Sequence, residues 1–365
     1  PWRTISKVNE KNFMPGDTIF FKRGDTWREM LKVPSSGTAA KYIVFSAYGS
    51  GENPLILGSE TTAWERYKEN IWVSARNFSD PYSVGANGAE IYFRNKDNSV
   101  SWGNRKKSIG ELASDHDWTY NSGIIYIFSA SDPVSAFSSV EIPQRPFIIN
   151  LNDKNYLHFK GINLFYCGEA AMTYKTYPMQ PQTGLIVEYC EIGYVSVKNS
   201  DAGYGIDATY IDQIVRHCEI HDCGRRSISH HLYGTYTARN IIIEDNYFHD
   251  GFHTTGPDFS VGSSVSSYYG SIDGVIIRRN LFYDPPTSTF YSHHIFIQNY
   301  LYSSLKAQIK NIYIYSNVFI SPRGAAINME GTQGVYIFNN TFYDHFGQGT
   351  NAHVWVDNNN SSVKV

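Results

Sequence analysis

Six tracts in the second half of the chain set apolar residues between carboxylates, imidazoles, amides and hydroxyls. They are Gly205-Ile206-Asp207-Ala208-Thr209, Ser227-Ile228-Ser229-His230-His231, Asp258-Phe259-Ser260-Val261, His294-Ile295-Phe296-Ile297-Gln298, Ala326-Ile327-Asn328-Met329-Glu330 and His353-Val354-Trp355-Val356-Asp357. A period of two marks a strand with one buried face. With Ile206, Ile228, Phe259, Ile295, Ile327 and Val354 inward, alternation puts Asp207, His231, Asp258, His294 and Glu330 on the outer face. Carboxylates and imidazoles are the side chains that move protons near neutral pH, so these five are the candidate catalytic residues. Phe296, Gln298, Asn328 and Trp355 share the face and are candidate binders. So are Arg225 and Arg226 at the turn entering the His-His tract, and Tyr233 and Tyr291 just outside the strands.

Positioning these tracts requires a repeating scaffold, and a second pattern supplies it. Asn163-Leu-Phe165, Cys190-Glu-Ile192, Cys218-Glu-Ile220, Asn246-Tyr-Phe248, Asn280-Leu-Phe282, Asn317-Val-Phe319 and Asn340-Thr-Phe342 follow one another at 27, 28, 28, 34, 37 and 23 residues. A period of this length marks a solenoid of stacked, similar units. Short β-branched and aromatic runs precede most copies, such as Ile241-Ile242-Ile243 and Val275-Ile276-Ile277, and they are too short for helices. Stacked coils lie about 4.8 Å apart. Asp207 and Asp258 are then two coils apart, as are Asp258 and Glu330, roughly 9–10 Å between backbones. Either pair approaches the roughly 6.5–9.5 Å that an inverting glycosidase keeps between its two carboxyl groups. Asp258 belongs to both pairs, and its replacement by Asn is expected to abolish turnover while leaving the fold intact.

The Asn/Cys column, with its companion Phe stack, resembles the internal asparagine ladder of right-handed parallel β-helix proteins. That group includes pectate lyases, polygalacturonases and alginate epimerases. The resemblance is clear over residues 150–360 and looser over the whole chain. It implies an all-β, single-stranded right-handed parallel β-helix that acts on a polysaccharide or oligosaccharide outside the cell, whether secreted, extracellular or periplasmic. Two carboxylates on the outer face imply a glycoside hydrolase. The alternative is a polysaccharide lyase or uronate epimerase. In that reading His231 or His294 is the base, Tyr233 or Tyr291 the acid, and Arg225, Arg226 or Ca²⁺ neutralises the uronate. A second alternative is a non-catalytic adhesin or tail-spike-like module. The paired Asp-Asp with Gly-His-Gly of polygalacturonases, the acidic Ca²⁺ cluster of pectate lyases and the Asp-Pro-His-Asp of alginate epimerases are not found. No cofactor is required by these motifs, and no CxxC pair suggests a zinc site.

The remaining features bound the reading. A net charge of −3 offers no basic field for nucleic acid or an anionic membrane, and no run of 18 apolar residues spans a bilayer. Residues 1–60 read as N-terminal coils, with Asp17 and Asp25 as turn formers. Residues 61–140 break the rhythm and read as a β-rich insertion beside the early coils, one wall of a groove. Residues 141–365 read as regular coils within the same domain. The two long repeats place their excess at 253–271 and 285–308, expected as loops walling the candidate face. Cys190 and Cys218 sit on adjacent coils, as two buried thiols or a disulfide. A start at Pro1 suggests a removed leader, and Ser362-Val363-Lys364-Val365 reads as the opening of a further strand.

Overall fold

The computed structural model describes residues 2–174, 182–232, 235–261, 270–285, 290–300, 308–343, 352–357 and 361–365. Three parallel sheets run along it. The first has ten strands, from Thr18–Lys22 to Ser361–Lys364; the second has nine, from Thr26–Trp27 to Thr341–Tyr343; the third has nine, from Leu31–Lys32 to Val354–Val356. Each coil visits the three sheets in turn, as in Gln182–Glu188, Glu191–Val195 and Tyr204–Asp207. Successive coils pair in register, so equivalent side chains stack in columns. Val187, Val215, Ile243, Ile277, Ile314 and Ile337 form one inner column of the first sheet. In the second sheet Phe248, Phe282, Phe319 and Phe342 stack with centroids 5.1, 4.9 and 5.0 Å apart. β-Branched and aromatic side chains suit this arrangement because each covers the flat face of its neighbour on the next coil.

The corner from the first sheet to the second is a two-residue device. Its first residue is left-handed in every regular coil: Gly161, Tyr189, His217, Asp245, Arg279, Ser316 and Asn339 have φ between 51 and 63°. Its second residue is the ladder residue. Asn246, Asn280, Asn317 and Asn340 each accept through Oδ1 from the ladder N–H of the preceding coil, at 2.9–3.0 Å. Their amide nitrogens donate to Val215, Ile243, Ile277 and Ile314 carbonyls at 2.9–3.0 Å. These are backbone groups that water does not reach. Replacing Asn280 by Leu is expected to destabilise the protein by about 1–3 kcal/mol, since two such groups lose their partner. A urea midpoint equal to wild type would contradict this.

Cys190 and Cys218 occupy the same column as buried free thiols, and Cys218 Sγ contacts the Val187 and Arg216 carbonyls. Asn163 does not belong to the column. Leu164, not Phe165, pairs with Ile192, so buried Ile162 takes the ladder place and Asn163 lies outside the corner, bonded to Asn53 and Glu191. The left-handed Gly161 sets that bend one residue ahead of the Asn-x-Phe match.

Between Leu57 and Phe147 the chain leaves the coil. Strands Trp64–Lys68, Ile71–Ser74, Asn104–Arg105, Asp117–Asn121 and Ile124–Phe128 form one sheet; Ser59–Glu60, Tyr92–Asn95, Val100–Trp102 and Phe137–Pro143 form another. Trp72, Phe93, Trp118, Ile127 and Ile142 give this unit its own core. It docks on the outer face of the second sheet through Tyr92, which contacts Tyr166 and Tyr194, and through Trp102, whose Nε1 donates to Asp222 at 2.9 Å. No helix among the described residues is long and apolar enough to cross a membrane.

Candidate active site

The third sheet brings the chemistry-bearing tracts together. Asp207, Ser229, Asp258, Phe296, Asn328 and Trp355 are successive partners in one outer column. His231, Ser260, Gln298 and Glu330 form the next outer column, two residues along each strand. His230, by contrast, is inside and stacks on Phe259 at 4.5 Å. Of the stretch 253–271, Thr254–Val261 is itself a third-sheet strand, and residues 262–269 lie outside the described residues. Of 285–308, Ile295–Asn299 is a strand, while 286–289 and 301–307 lie outside them. Tyr233 also lies outside the described residues.

Asp258 is at the floor of this face and fully buried. Arg226 Nε donates to its Oδ2 at 2.5 Å and Ser260 Oγ to its Oδ1 at 2.6 Å. Burial alone would raise the carboxyl pKa. The Arg226 guanidinium, His231 and the Ser260 hydroxyl outweigh it and hold Asp258 below the usual carboxylate range. Asp207, two coils away, is also buried at 6% exposure. The pair spaced for hydrolysis therefore presents neither carboxylate to solvent. Arg226 is buried as well, its charge committed to Asp258 rather than to a substrate. Arg225 is half-buried and pairs with Asp201 at 2.8 Å. Glu330 is the half-buried carboxylate of the face, accepting from Gln298 Nε2 at 2.8 Å.

Three histidines gather around this ion pair. His231 Nε2 lies 3.8 Å from Asp258 Oδ1. Burial pushes His231 down to about 4, with Arg226 and Arg225 adding to the effect and Asp258 opposing it. His253 is likewise pushed down to about 4, by burial and then Arg226. Burial brings His293 to about 4 too. All three are neutral at pH 7. His293 stacks on Phe296 at 5.3 Å, accepts from the Ala325 N–H at 3.1 Å, and sits against Asn328 and exposed Tyr291. The hydroxyl of half-exposed Tyr300 is kept protonated above its ordinary range, chiefly by burial and by the Asp258 charge.

These shifts set an acid-side stability limit. Each of the three histidines is neutral in the fold but takes a proton near pH 6.5 when unfolded. The stability tied to them is present above about pH 6.5 and is lost as pH falls toward their folded values near 4. The urea midpoint should drop across that window, and less steeply in a His231→Gln/His253→Gln variant. A flat profile from pH 6.5 to 4 would refute the assignment.

His294 is not on the outer face. It is fully buried beside the stacked rings of Phe282 and Phe319, at 5.7 and 5.9 Å, with Nε2 3.4 Å from Asp284. The strand starts at Ile295, so His294 belongs to the corner, where period-two alternation does not hold. Its neighbour His293 is the outward member of the doublet. His253 and Tyr300 were also missed because both lie just outside strands, where sequence alternation has no purchase. For His293 the available signal was the His293-His294 doublet, of which the outward member is His293 and not His294. Among the described residues no group of three His, Cys, Asp or Glu side chains is arranged to hold a metal ion.

No protein-family model matches this chain, and no curated protein matches it in sequence. Among solved structures, XylC in complex with xylose superposes with a TM-score of 0.59 at 15% identity, covering 94% of this chain and 67% of its own. The chain is a parallel β-helix. A structure described as a glycoside hydrolase matches the β-helix with a TM-score of 0.54 at 10% identity, over 95% of this chain and 90% of the other. An alginate lyase from Paenibacillus sp. str. FPU-7 covers 96% of the β-helix and 97% of its own length, at 13% identity and a lower score of 0.45. The two superpositions above 0.5 show a shared fold, and at identities this low they leave the reaction to the site itself.

Proposed function

We propose that the β-helix is a polysaccharide-cleaving enzyme working on the outer face of its third sheet, and that it cleaves a uronate-containing chain by β-elimination. The observation that carries this reading is the state of Asp258. A carboxylate that is buried, ionised and bonded to Arg226 and Ser260 cannot deliver a proton to a leaving oxygen, but from 3.8 Å its charge can stabilise the imidazolium that forms when His231 takes a proton. Neutral His231 then removes the C5 proton of the uronate. The electron pair forms the C4=C5 double bond, the C4–O bond breaks, and the Tyr300 hydroxyl protonates the departing oxygen. Arg225 faces the uronate carboxylate and neutralises it, which acidifies the C5–H and stabilises the carbanion that forms there.

Hydrolysis is the second reading, favoured by one observation. Glu330 is a half-buried carboxyl whose partner among the described residues is the Gln298 amide, two coils from the ionised Asp258. That arrangement supplies an acid beside a fixed negative charge. The solved structures named for xylose and for glycoside hydrolysis support it by analogy of fold alone. The two readings separate in one assay. Digestion of alginate, polygalacturonate and arabinoxylan is followed at 235 nm and by reducing ends. Elimination gives both signals together; reducing ends without absorbance would establish hydrolysis and overturn elimination. Polymer binding without either product would make the face a carbohydrate-binding module.

A further inference from the structure

A second trough lies on a different face, between the outer side of the second sheet and the inserted unit. Its cavity, about 770 Å³, falls in the range of ligand sites and is lined by Phe165, Tyr166, Tyr194, Arg94, Asn163 and Glu191 among others. Tyr166 and Tyr194 stack at 5.4 Å with planes 24° apart, one on each of two successive coils. An adjoining cavity of about 690 Å³ shares Glu52, Asn53, Asn163 and Glu191 with the first, and contains Arg23 and Tyr189. Tyr189 is 49% exposed and stacks on His217 at 4.8 Å. The trough is thus elongated, with half-buried Tyr194 over buried Tyr166 in one half and exposed Tyr189 in the other, the shape of a chain ligand rather than a compact one.

Its charges are unevenly matched. Glu141 is held bidentately by Arg28 at 2.6 and 3.0 Å, and Glu191 is 3.5 Å from His221. Arg94 donates only to the Asn98 amide oxygen at 3.3 Å, and Arg23 to Asn53 and the Gly51 carbonyl, with no carboxylate partner for either among the described residues. Glu219 is likewise engaged, 3.0 Å from His249, so among the described residues the trough's charges without an ion pair are the guanidinium groups of Arg23 and Arg94 and the single carboxylate of Glu52, which leaves an excess of positive charge for an anion. Aromatic faces beside amides and guanidinium groups suit sugar rings that bear carboxylates. We propose that this trough is a second carbohydrate-binding site that takes an acidic oligosaccharide segment, away from the third-sheet face. The proposal rests on the uronate-cleaving reading for the identity of its polymer.

Affinity electrophoresis of the full chain in gels containing alginate, polygalacturonate or neutral arabinoxylan tests it, with Arg94→Ala, Tyr194→Ala and His231→Gln run beside wild type. The expected result is retardation by an acidic polymer that persists in His231→Gln. Both trough variants should weaken it about tenfold or more with unchanged turnover of short fragments, and Arg94→Ala should do so with an unchanged melting temperature. If Tyr194→Ala melts early, Arg94→Ala decides, because its side chain is partly exposed and enters no ion pair. Equal retardation of wild type and Arg94→Ala overturns the second site while leaving the cleavage reading standing. Retardation by arabinoxylan alone overturns the acidic ligand. A wild type retarded by no polymer overturns the trough proposal, and if the digestions also yield no product the carbohydrate reading falls with it.

Discussion

Asp258→Asn should lower the stability of the protein by about 3–5 kcal/mol, in addition to abolishing turnover, because it strands a buried charge. Arg226 is 2% exposed and its Nε is bonded to the carboxylate that the substitution removes. Asn presents a neutral oxygen that cannot offset a guanidinium away from water, and Ser260 loses a charged acceptor as well. A double variant, Arg226→Met/Asp258→Leu, should recover most of the lost stability, since replacing a whole buried pair with apolar groups of similar volume is commonly neutral or better. It should not recover activity. Urea denaturation of Arg226→Met, Asp258→Leu and the double closes the cycle, and a large coupling between the sites is the expected outcome. A single Asp258→Asn variant as stable as wild type would mean the pair is not shielded as described. The same measurement tests the sequence-based expectation that Asn at this position leaves the fold undisturbed, which the ion pair contradicts.

His231→Gln should reduce turnover by at least roughly 10²–10⁴-fold, the range lost with a general base. The fold should hold, because His231 is partly exposed and Gln keeps a polar group of similar reach. Tyr300→Phe should fall in the same range while leaving the affinity for polymer nearly unchanged, since only the proton delivered to the leaving oxygen is lost. Glu330→Gln is the opposing arm. On the elimination reading it changes binding modestly, whereas on the hydrolysis reading it removes the acid. Near-normal turnover in His231→Gln combined with a collapse in Glu330→Gln, on the polymer identified by digestion, would transfer the chemistry to the carboxylates.

The solenoid was legible in the sequence because its stabilising pattern is local and repeated. Each coil must bury a few alternating residues and satisfy one corner, so the same types return at the same places: Asn246, Asn280, Asn317 and Asn340 in the ladder, Phe248, Phe282 and Phe319 in the stack. Alternation within a strand also placed Asp207, Asp258, Phe296, Asn328 and Trp355 in a single outer column. Alternation stops where strands stop. His294 turned inward and His293 outward because they precede the first residue of a strand, and Asn163 left the ladder because the corner was set by the left-handed Gly161. What only the tertiary structure decided is the electrostatic state of the site. Arg226 and Asp258 meet across 32 residues through the stacking of two coils, and burial then fixes one charge against the other and keeps His231, His253 and His293 neutral. Residue types name the groups that can ionise. Desolvation and partners on neighbouring coils determine which of them do, and neither is a property of the local sequence.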